Sequence, residues 1–368
     1  MKLEAPLKQA YESDHLTASE AQRMAHLIAF APVVFQVARL MHKFGIFSLL
    51  RDSDSGLTMD EVAERVGISR YAAQVLLESS LTAGTVLLKD ERFHLSKTGW
   101  FFLTDPMIEV NMSFNHDVNY LGLFSLEEAL LNGKPEGLKV FGDWPTIYEG
   151  LSSLPDQVQK SWFGFDHFYS DNSFPQALEV VFAHSPKTLL DVGGNTGRWS
   201  LQCVYHSPDV QVTIMDLPQQ IGLMESQTEH LPEVDRIHGY PADLLDTETS
   251  FPGPFDAIWM SQFLDCFSEE QVFSIVSRVA NSMTGNTRLF VMETFWDRQR
   301  FETSAFCLAQ TSVYFTAMAN GNSKMYYSGD MIRIIEKAGL KIDKIHDNIG
   351  LGHSILECVK NEELRVKS

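Results

Sequence analysis

The residues best placed to do chemistry begin in "TLLDVGGNTGRWSL", residues 188–201, where an apolar run ends in Asp191 and leads into Gly193, Gly194 and Gly197. A buried strand, a tight turn and a helix N-terminus in that order form the ligand-binding end of an open α/β sheet. The spacing is neither G-x-G-x-x-G nor G-x-x-x-x-G-K-[ST], so the features that hold a dinucleotide or a triphosphate are missing. Gly193 and Gly194 instead let the backbone approach a ligand closely, and Asp191 puts a carboxylate near a cationic group. Asp216 follows 25 residues later at the end of the next apolar run, where it suits both hydroxyls of a ribose. Asp243, near the end of the third, can accept a hydrogen from an adenine amino group. An adenosine carrying an amino acid in place of phosphates, S-adenosylmethionine (SAM), meets these demands.

Alternating strands and helices have to position these groups. After Pro186, "TLLDVG", "VQVTIMD", "VDRIHG", "FDAIWMS" and "TRLFVMET" read as parallel strands, and "LKIDKIHD" and "HSILECVK" as the pair that closes the sheet. Residues 181–368 are therefore expected to form one α/β domain. Residues 21–104 follow a helical pattern instead. "TMDEVAERVG" opens with Thr58 and Glu61 at capping-box spacing and stops at Gly67; Ser69 can cap "RYAAQVLLESSLTAG", and "TVLLKDERFHLSKTG" reads as two short strands around a turn. Helix, turn, helix and hairpin make a winged helix, assigned to residues 1–110. The stretch "HLIAFAPVVFQVARLMHKFGIFSLL" reads as a helix apolar around most of its circumference, as in a subunit interface or a domain core. Residues 111–180, rich in Phe, Trp and Tyr, read as a helical linker that contributes to a substrate pocket.

Composition narrows the partners. The chain of 368 residues has 29 Lys and Arg against 48 Asp and Glu, a net charge of -19, which opposes binding to nucleic acid. The second helix of the winged motif carries one Arg, Arg70, and no Lys. Packing or dimerisation therefore explains the motif better than DNA recognition by a ligand-sensing regulator. The four cysteines are scattered, which fits neither a disulfide framework nor a zinc site and suggests reduced thiols in a cytoplasmic setting. The N-terminal residues lack an apolar signal core, and the run 27–35 is short and contains Pro32, so no targeting or membrane segment is expected.

From residue 20 to 360 the sequence resembles the SAM-dependent small-molecule O-methyltransferases of the plant caffeate and hydroxyindole type and their bacterial relatives. Their glycine motif D-V-G-G-G-T-G is matched by "DVGGNTG" except at Asn195, a residue that tolerates left-handed backbone angles. The resemblance implies a Rossmann-like methyltransferase sheet behind a winged-helix dimerisation domain, hence a homodimer with a small aromatic acceptor. It implies that Gly193 meets the methionine moiety, Asp216 and Leu217 the ribose and adenine, and Asp243 and Leu244 the adenine. Ser261 stands where a Lys is common. "FDHFYSDNS" matches F-N-x-x-M-S-D-H-S, which puts Phe165, Tyr169 and Ser173 near cofactor and substrate.

The same comparison exposes a missing histidine. The family carries its base as His in W-I-x-H-D-W-S-D-E, whereas this chain has "QFLDCFSEE", with Asp265 in the His position. Glu293, 28 residues on, matches the carboxylate that orients the base. Facing acids of this kind repel each other and resist desolvation, which raises one pKa and makes a better base. The competing reading makes Asp265 a loop acid ahead of the helix that starts at Ser268. His353 and His167 are alternative bases, His167 on the substrate-facing helix. A G-x-E-R-T-like stretch is absent, and "GNSKMYYSGD" offers Tyr326 and Tyr327 in its place. Phe306, Tyr314, Phe315 and Met318 are expected to form one apolar stripe over the acceptor. No acidic or His cluster has metal-ligand spacing. The leading expectation is a metal-independent O-methyltransferase. The alternative is a SAM-binding relative with drifted chemistry: decarboxylation, a pericyclic step, or methylation of nitrogen or carbon.

Overall fold

Thr58 lies in extended backbone ahead of the helix Met59–Val66; its hydroxyl accepts from the Glu61 amide, and the Glu61 carboxylate accepts from the Thr58 amide at 2.7 Å. Such a reciprocal cap satisfies two otherwise orphaned donors and contributes roughly 1 kcal/mol. Gly67 ends the helix at φ 75°. Ser69 caps the next helix, Arg70–Ala83. Strands β1 (Val86–Lys89) and β2 (Arg92–Leu95) then pair antiparallel across Asp90 and Glu91, both at positive φ. Val62, Ala73, Leu77, Val86 and Phe93 pack with Met41, Ile46 and Phe47 into one core. Arg70 is paired with Asp60 at 2.8 Å.

The computed structural model describes residues 1–361 and divides into two units. The winged helix belongs to Ser13–Asp117; Met1–Glu12 joins the described chain from Val118 onward. The first boundary thus falls at 117 rather than 110, and the N-terminal residues leave the winged-helix unit. The reason lies in contacts: Leu7 is buried, and Lys2 exchanges two backbone hydrogen bonds with the Tyr327 hydroxyl, at 2.8 and 2.7 Å. The long apolar helix is also corrected. It breaks into Ala18–Ala29, Ala31–Lys43 and Ile46–Arg51, with a 74° bend where Pro32 enters the first turn of the second piece. Among the described residues no single helix is long and apolar enough to cross a membrane.

The second unit holds a seven-stranded sheet of β3 (Thr188–Val192), β4 (Gln211–Asp216), β5 (Ile237–Pro241), β6 (Ala257–Ser261), β7 (Arg288–Glu293), β8 (Leu340–Ile349) and β9 (His353–Lys360). Its order is β5-β4-β3-β6-β7-β9-β8, parallel from β5 to β7, with β9 antiparallel to both neighbours. One expected strand starts late, because residues Val234–Arg236 form a 3-10 turn before β5. Successive strand residues alternate between two cores. Leu190, Val192, Leu289 and Val291 pack on one face with Val272, Ile275 and Val276, while Leu189, Phe290 and Met292 pack on the other with Trp199 and Trp259. Burying each such side chain stabilises the fold by roughly 1.5 to 3 kcal/mol. The chain winds from β3 to β4 on one side and places β6 on the other. The resulting crevice at the strand ends lies between Gly193 and Ser261.

Candidate active site

The turn after β3 is shaped to admit a ligand against bare backbone. Gly193 has φ +74°, and a Cβ there would run into the Phe263 ring. A Cβ on Gly194 would lie 2.7 Å from Asp191 Oδ2 and 2.8 Å from Ile214 Cγ2. Asn195 adopts φ 49°, the left-handed angle its side chain tolerates, and Gly197 follows at φ 79° to start the helix Arg198–His206. Asp216 braces this turn from β4: its Oδ2 accepts from the Asn195 amide at 2.8 Å and its Oδ1 from the Leu217 amide at 2.7 Å. Burial raises its pKa against those two hydrogen bonds. Asp191 is buried and accepts from Ser200 Oγ at 2.6 Å; burial pushes it up to about 7, that hydrogen bond opposing and the Asp216 charge adding. Its carboxylate therefore pins the turn from inside.

The other expected cofactor residues are spread around that crevice. Ser261 ends β6 and is half-buried; Asp243 is exposed, its Oδ1 accepting from the Leu245 amide at 2.8 Å. Leu244 is buried in the core with Val192 and Met215. Phe165 and Tyr169 lie with ring centroids 5.0 Å apart and planes tilted by 49° on the helix Asp156–Asp171, and Ser173, fully buried, donates to the Ser170 carbonyl at 2.6 Å. A SAM-sized nucleoside fits the chemistry of this cradle: glycines that allow close approach, and a carboxylate at the end of each of the next two strands.

Beside the cradle is a second group of acids. Gln262 takes φ 47° after β6, and the 3-10 turn Leu264–Cys266 then carries Asp265 inward, leaving it 5% exposed. The following helix Glu269–Ser282 is capped by Ser268 and Gln271, so Asp265 takes no part in the cap. Glu293, at the end of β7 and 2% exposed, uses Oε1 to accept from the Phe263 and Leu264 amides at 3.1 and 2.8 Å. Its Oε2 is buried without a hydrogen-bond partner. Burial, then the Asp265 charge, push Glu293 well above the usual carboxylate range. Burial pushes Asp265 up to about 7; the Cys266 thiol, 3.5 Å from its Oδ1, opposes this, and the charge of Asp166 adds to it. Burial likewise lifts Asp166 to about 6, with Asp171 adding and Arg198 opposing. Asp265 thus feels the charge of Asp166, on the helix Asp156–Asp171, and Glu293 feels that of Asp265.

The remaining expected residues separate. Tyr314 is buried and its hydroxyl accepts from Trp162 Nε1 at 2.7 Å; Tyr326 is buried and donates to the Phe267 carbonyl at 2.6 Å. Phe306 does not join the stripe: it is 58% exposed, whereas Tyr314, Phe315 and Met318 are buried. At roughly 100° per residue it lies about 180° around the helix from Phe315. His353 has no exposed surface; its Nε2 pairs with Gln262 Oε1 at 3.0 Å, and burial lowers its pKa to about 4. Neutral at ordinary pH, it supports the left-handed Gln262 that leads into Asp265. His167 is half-buried, its ring 5.7 Å from Phe163. Sequence reasoning passed over Asp166, Trp162 and Tyr148, the last with a pKa raised by burial and then by Cys266. Asp166 was within view, since it replaces the Asn of the F-N-x-x-M-S-D-H-S pattern. An open groove lined by Leu50, His94, Lys97 and Trp100 lies in the winged-helix unit and contains none of these groups. Among the described residues no group of three or more His, Cys, Asp or Glu side chains is arranged to hold a metal ion.

Residues 22–93 match the Dimerisation2-like domain, and residues 171–341 match the O-methyltransferase domain. The demethylspheroidene O-methyltransferase of Rhodobacter capsulatus is 22% identical over 314 residues, covering 84% of this chain and 75% of its own. The apo structure of the SAM-dependent methyltransferase SibL aligns with a TM-score of 0.70 at 21% identity, over 91% of this chain and 98% of that one. Human N-acetylserotonin methyltransferase, solved in complex with SAM, aligns with a TM-score of 0.59 at 16% identity, over 94% and 100%.

Proposed function

The chain belongs to the SAM-dependent O-methyltransferases that join a Dimerisation2-like domain to an O-methyltransferase domain, and from that premise we propose that it methylates a hydroxyl of a small aromatic acceptor without a metal ion, Asp265 serving as base beside Glu293. Bound SAM supplies an electrophilic methyl group on a sulfonium. Gly193 and Gly194 would hold its amino-acid end, Asp216 and Leu217 its ribose, and Asp243 and Ser261 its base. The observation that carries the reading is the state of Asp265. A phenolic oxygen must give up its proton as it attacks, and a buried carboxylate held near 7 is a much stronger base than an exposed one. Burial and the Asp265 charge push Glu293 well above the usual carboxylate range, so the two acids resist being ionised together. Through its backbone hydrogen bonds Glu293 also holds the turn that presents Asp265.

The first test is S-adenosylhomocysteine formation from SAM and a pool of catechols, quinols, phenols and aromatic carboxylates. Product above the no-acceptor control supports methyl transfer. SAM binding without product moves the weight to the second reading, drifted chemistry, which the absence of His at position 265 favours. With an acceptor in hand, kcat/KM should be low at pH 5, rise about tenfold per pH unit, and level off above about 7 as Asp265 ionises. A flat profile between pH 5 and 8 removes Asp265 as the base.

The homodimer belongs to the same proposal. Leu27, Ile28, Phe30 and Val33 are exposed together on the two bent helices of the unit that matches the Dimerisation2-like domain. Light scattering should give twice the 41.6 kDa chain mass, and Ile28→Glu with Phe30→Glu should halve it. A monomeric wild type rules this out.

A further inference from the structure

We propose that the Cys266 thiol, itself hydrogen-bonded by the Tyr148 hydroxyl, positions the Asp265 carboxylate, so that Tyr148, Cys266 and Asp265 form one directed hydrogen-bond chain; the inference rests on the reading of Asp265 as the base. The main chain of the turn that carries Asp265 is fixed from several sides. Glu293 takes the Phe263 and Leu264 amides, Asn320 Nδ2 donates to the Cys266 carbonyl at 2.5 Å, and the Tyr326 hydroxyl donates to the Phe267 carbonyl at 2.6 Å. None of these bonds reaches the Asp265 side chain. Its carboxylate accepts from its own amide and from Cys266 Sγ, which lies 3.5 Å from Oδ1. The thiol is therefore the side-chain group that selects among the rotamers of Asp265.

Tyr148 decides where that thiol points. A thiol has one hydrogen to give, and within the turn it has two acceptors: Asp265 Oδ1 and the Gln262 carbonyl, 3.9 Å from the sulfur. The Tyr148 hydroxyl donates to the sulfur, which leaves the thiol hydrogen for the nearer oxygen. Tyr148 lies on the short helix Ile147–Gly150, where Ile147 is fully buried. Trp144 braces it: a Cβ on Gly142 would meet that ring at 2.4 Å and one on Gly150 at 2.5 Å, so the indole packs on bare backbone at both glycines. The same helix packs against the π-helical turn Phe315–Ala319, which ends at Asn320. One block of structure thus holds Cys266 by its thiol and by its carbonyl. Burial raises the pKa of Tyr148 and, with the Asp265 charge, that of Cys266, so both stay donors while Asp265 titrates. The other titratable groups within electrostatic reach of Asp265 are Glu293, Asp166, Tyr314 and Tyr326, and burial keeps both tyrosines neutral. In the pattern W-I-x-H-D-W-S-D-E an acid follows the base, and Cys266 stands in its place. A second carboxylate next to Asp265 would repel it, whereas a thiol donates to it.

The experiment follows the protonated carboxyl band of Asp265 by infrared difference spectroscopy of the full-length protein with bound S-adenosylhomocysteine, the band being the one that Asp265→Asn removes. In the wild type it should disappear with a midpoint of about 7 as pH rises. Cys266→Ala takes away the donor to the charged form and should move that midpoint up by about one pH unit, a tenfold change in the ionisation equilibrium. Cys266→Ser keeps a donor of similar size and should leave the midpoint at or below that of the wild type. Tyr148→Phe keeps the ring and frees the thiol hydrogen to turn to the Gln262 carbonyl, so the midpoint should rise by less than in Cys266→Ala. Equal shifts in the Ala and Ser variants, or no shift in any of the three, overturn the positioning role; a pH-dependent kcat/KM with catechol as acceptor then leaves the base reading standing. The expected shifts with a flat kcat/KM on catechol support the chain and remove Asp265 as the base. A wild type in which no Asp265 band titrates between pH 5 and 9 overturns both.

Discussion

Asp265→Asn should lower turnover by about a hundredfold or more, the usual contribution of a positioned general base, while changing the SAM dissociation constant by less than about threefold. The substitution keeps the size of the side chain and removes its ability to take a proton. Glu293 continues to hold the turn through the Phe263 and Leu264 amides, so the geometry survives. Stability should move the other way. The folded-state pKa of Asp265, about 7, lies above its ordinary value of 3.8, so unfolding releases a proton between those limits. Its contribution to stability is complete below about pH 4 and is lost as pH rises through about 7. At pH 8 the wild type bears the cost of a buried carboxylate and the Asn variant does not. The expected signature is therefore an inactive enzyme with an unchanged or higher Tm at pH 8 and intact SAM binding. Wild-type turnover in the variant eliminates Asp265 from the chemistry; loss of Tm and SAM affinity together assigns it to the fold.

Gly193→Ala should weaken SAM binding by at least about tenfold, the affinity equivalent of roughly 1.4 kcal/mol. Two costs combine at this position. Alanine at φ +74° is strained by roughly 1 to 2 kcal/mol, and its Cβ must displace the Phe263 ring. Phe263 donates its amide to Glu293, so a shift there also loosens the turn that carries Asp265. Calorimetric titration with S-adenosylhomocysteine measures the loss, and turnover at saturating SAM should fall as well. Unchanged affinity would mean that the ligand does not lie against this glycine. Gly67→Ala is the control: it is also at positive φ, but a Cβ there has open space, so it should lower Tm without touching affinity.

Much of this was legible in the chain because it depends on neighbours a few residues apart. The cap of Thr58 and Glu61, the stop at Gly67 and the Asn195 turn at φ 49° each follow from one side chain acting on its own backbone. Strand identity followed from runs of apolar residues buried on both faces. Errors arose where a distant contact or a single breaker dominated. Pro32 bent a run whose composition was uniformly helical, Tyr327 drew the first residues away from the winged helix, and Phe306 was assigned to a stripe by spacing although its phase on the helix points it outward.

The acids mark the boundary most clearly. The sequence picked out Asp191 and Asp216 as acids at strand ends and, through its resemblance to the family, Asp265 and Glu293. It could not assign their charge states. Asp166 and Asp265 are 99 residues apart in the chain, yet the charge of the first adds to the rise in the pKa of the second, a relation that only the folded chain brings about. Desolvation and Coulomb repulsion act through space and depend on what has been excluded from around a group. Folding therefore pushed the pKa of a loop aspartate up to about 7, a change that its place in the sequence does not announce.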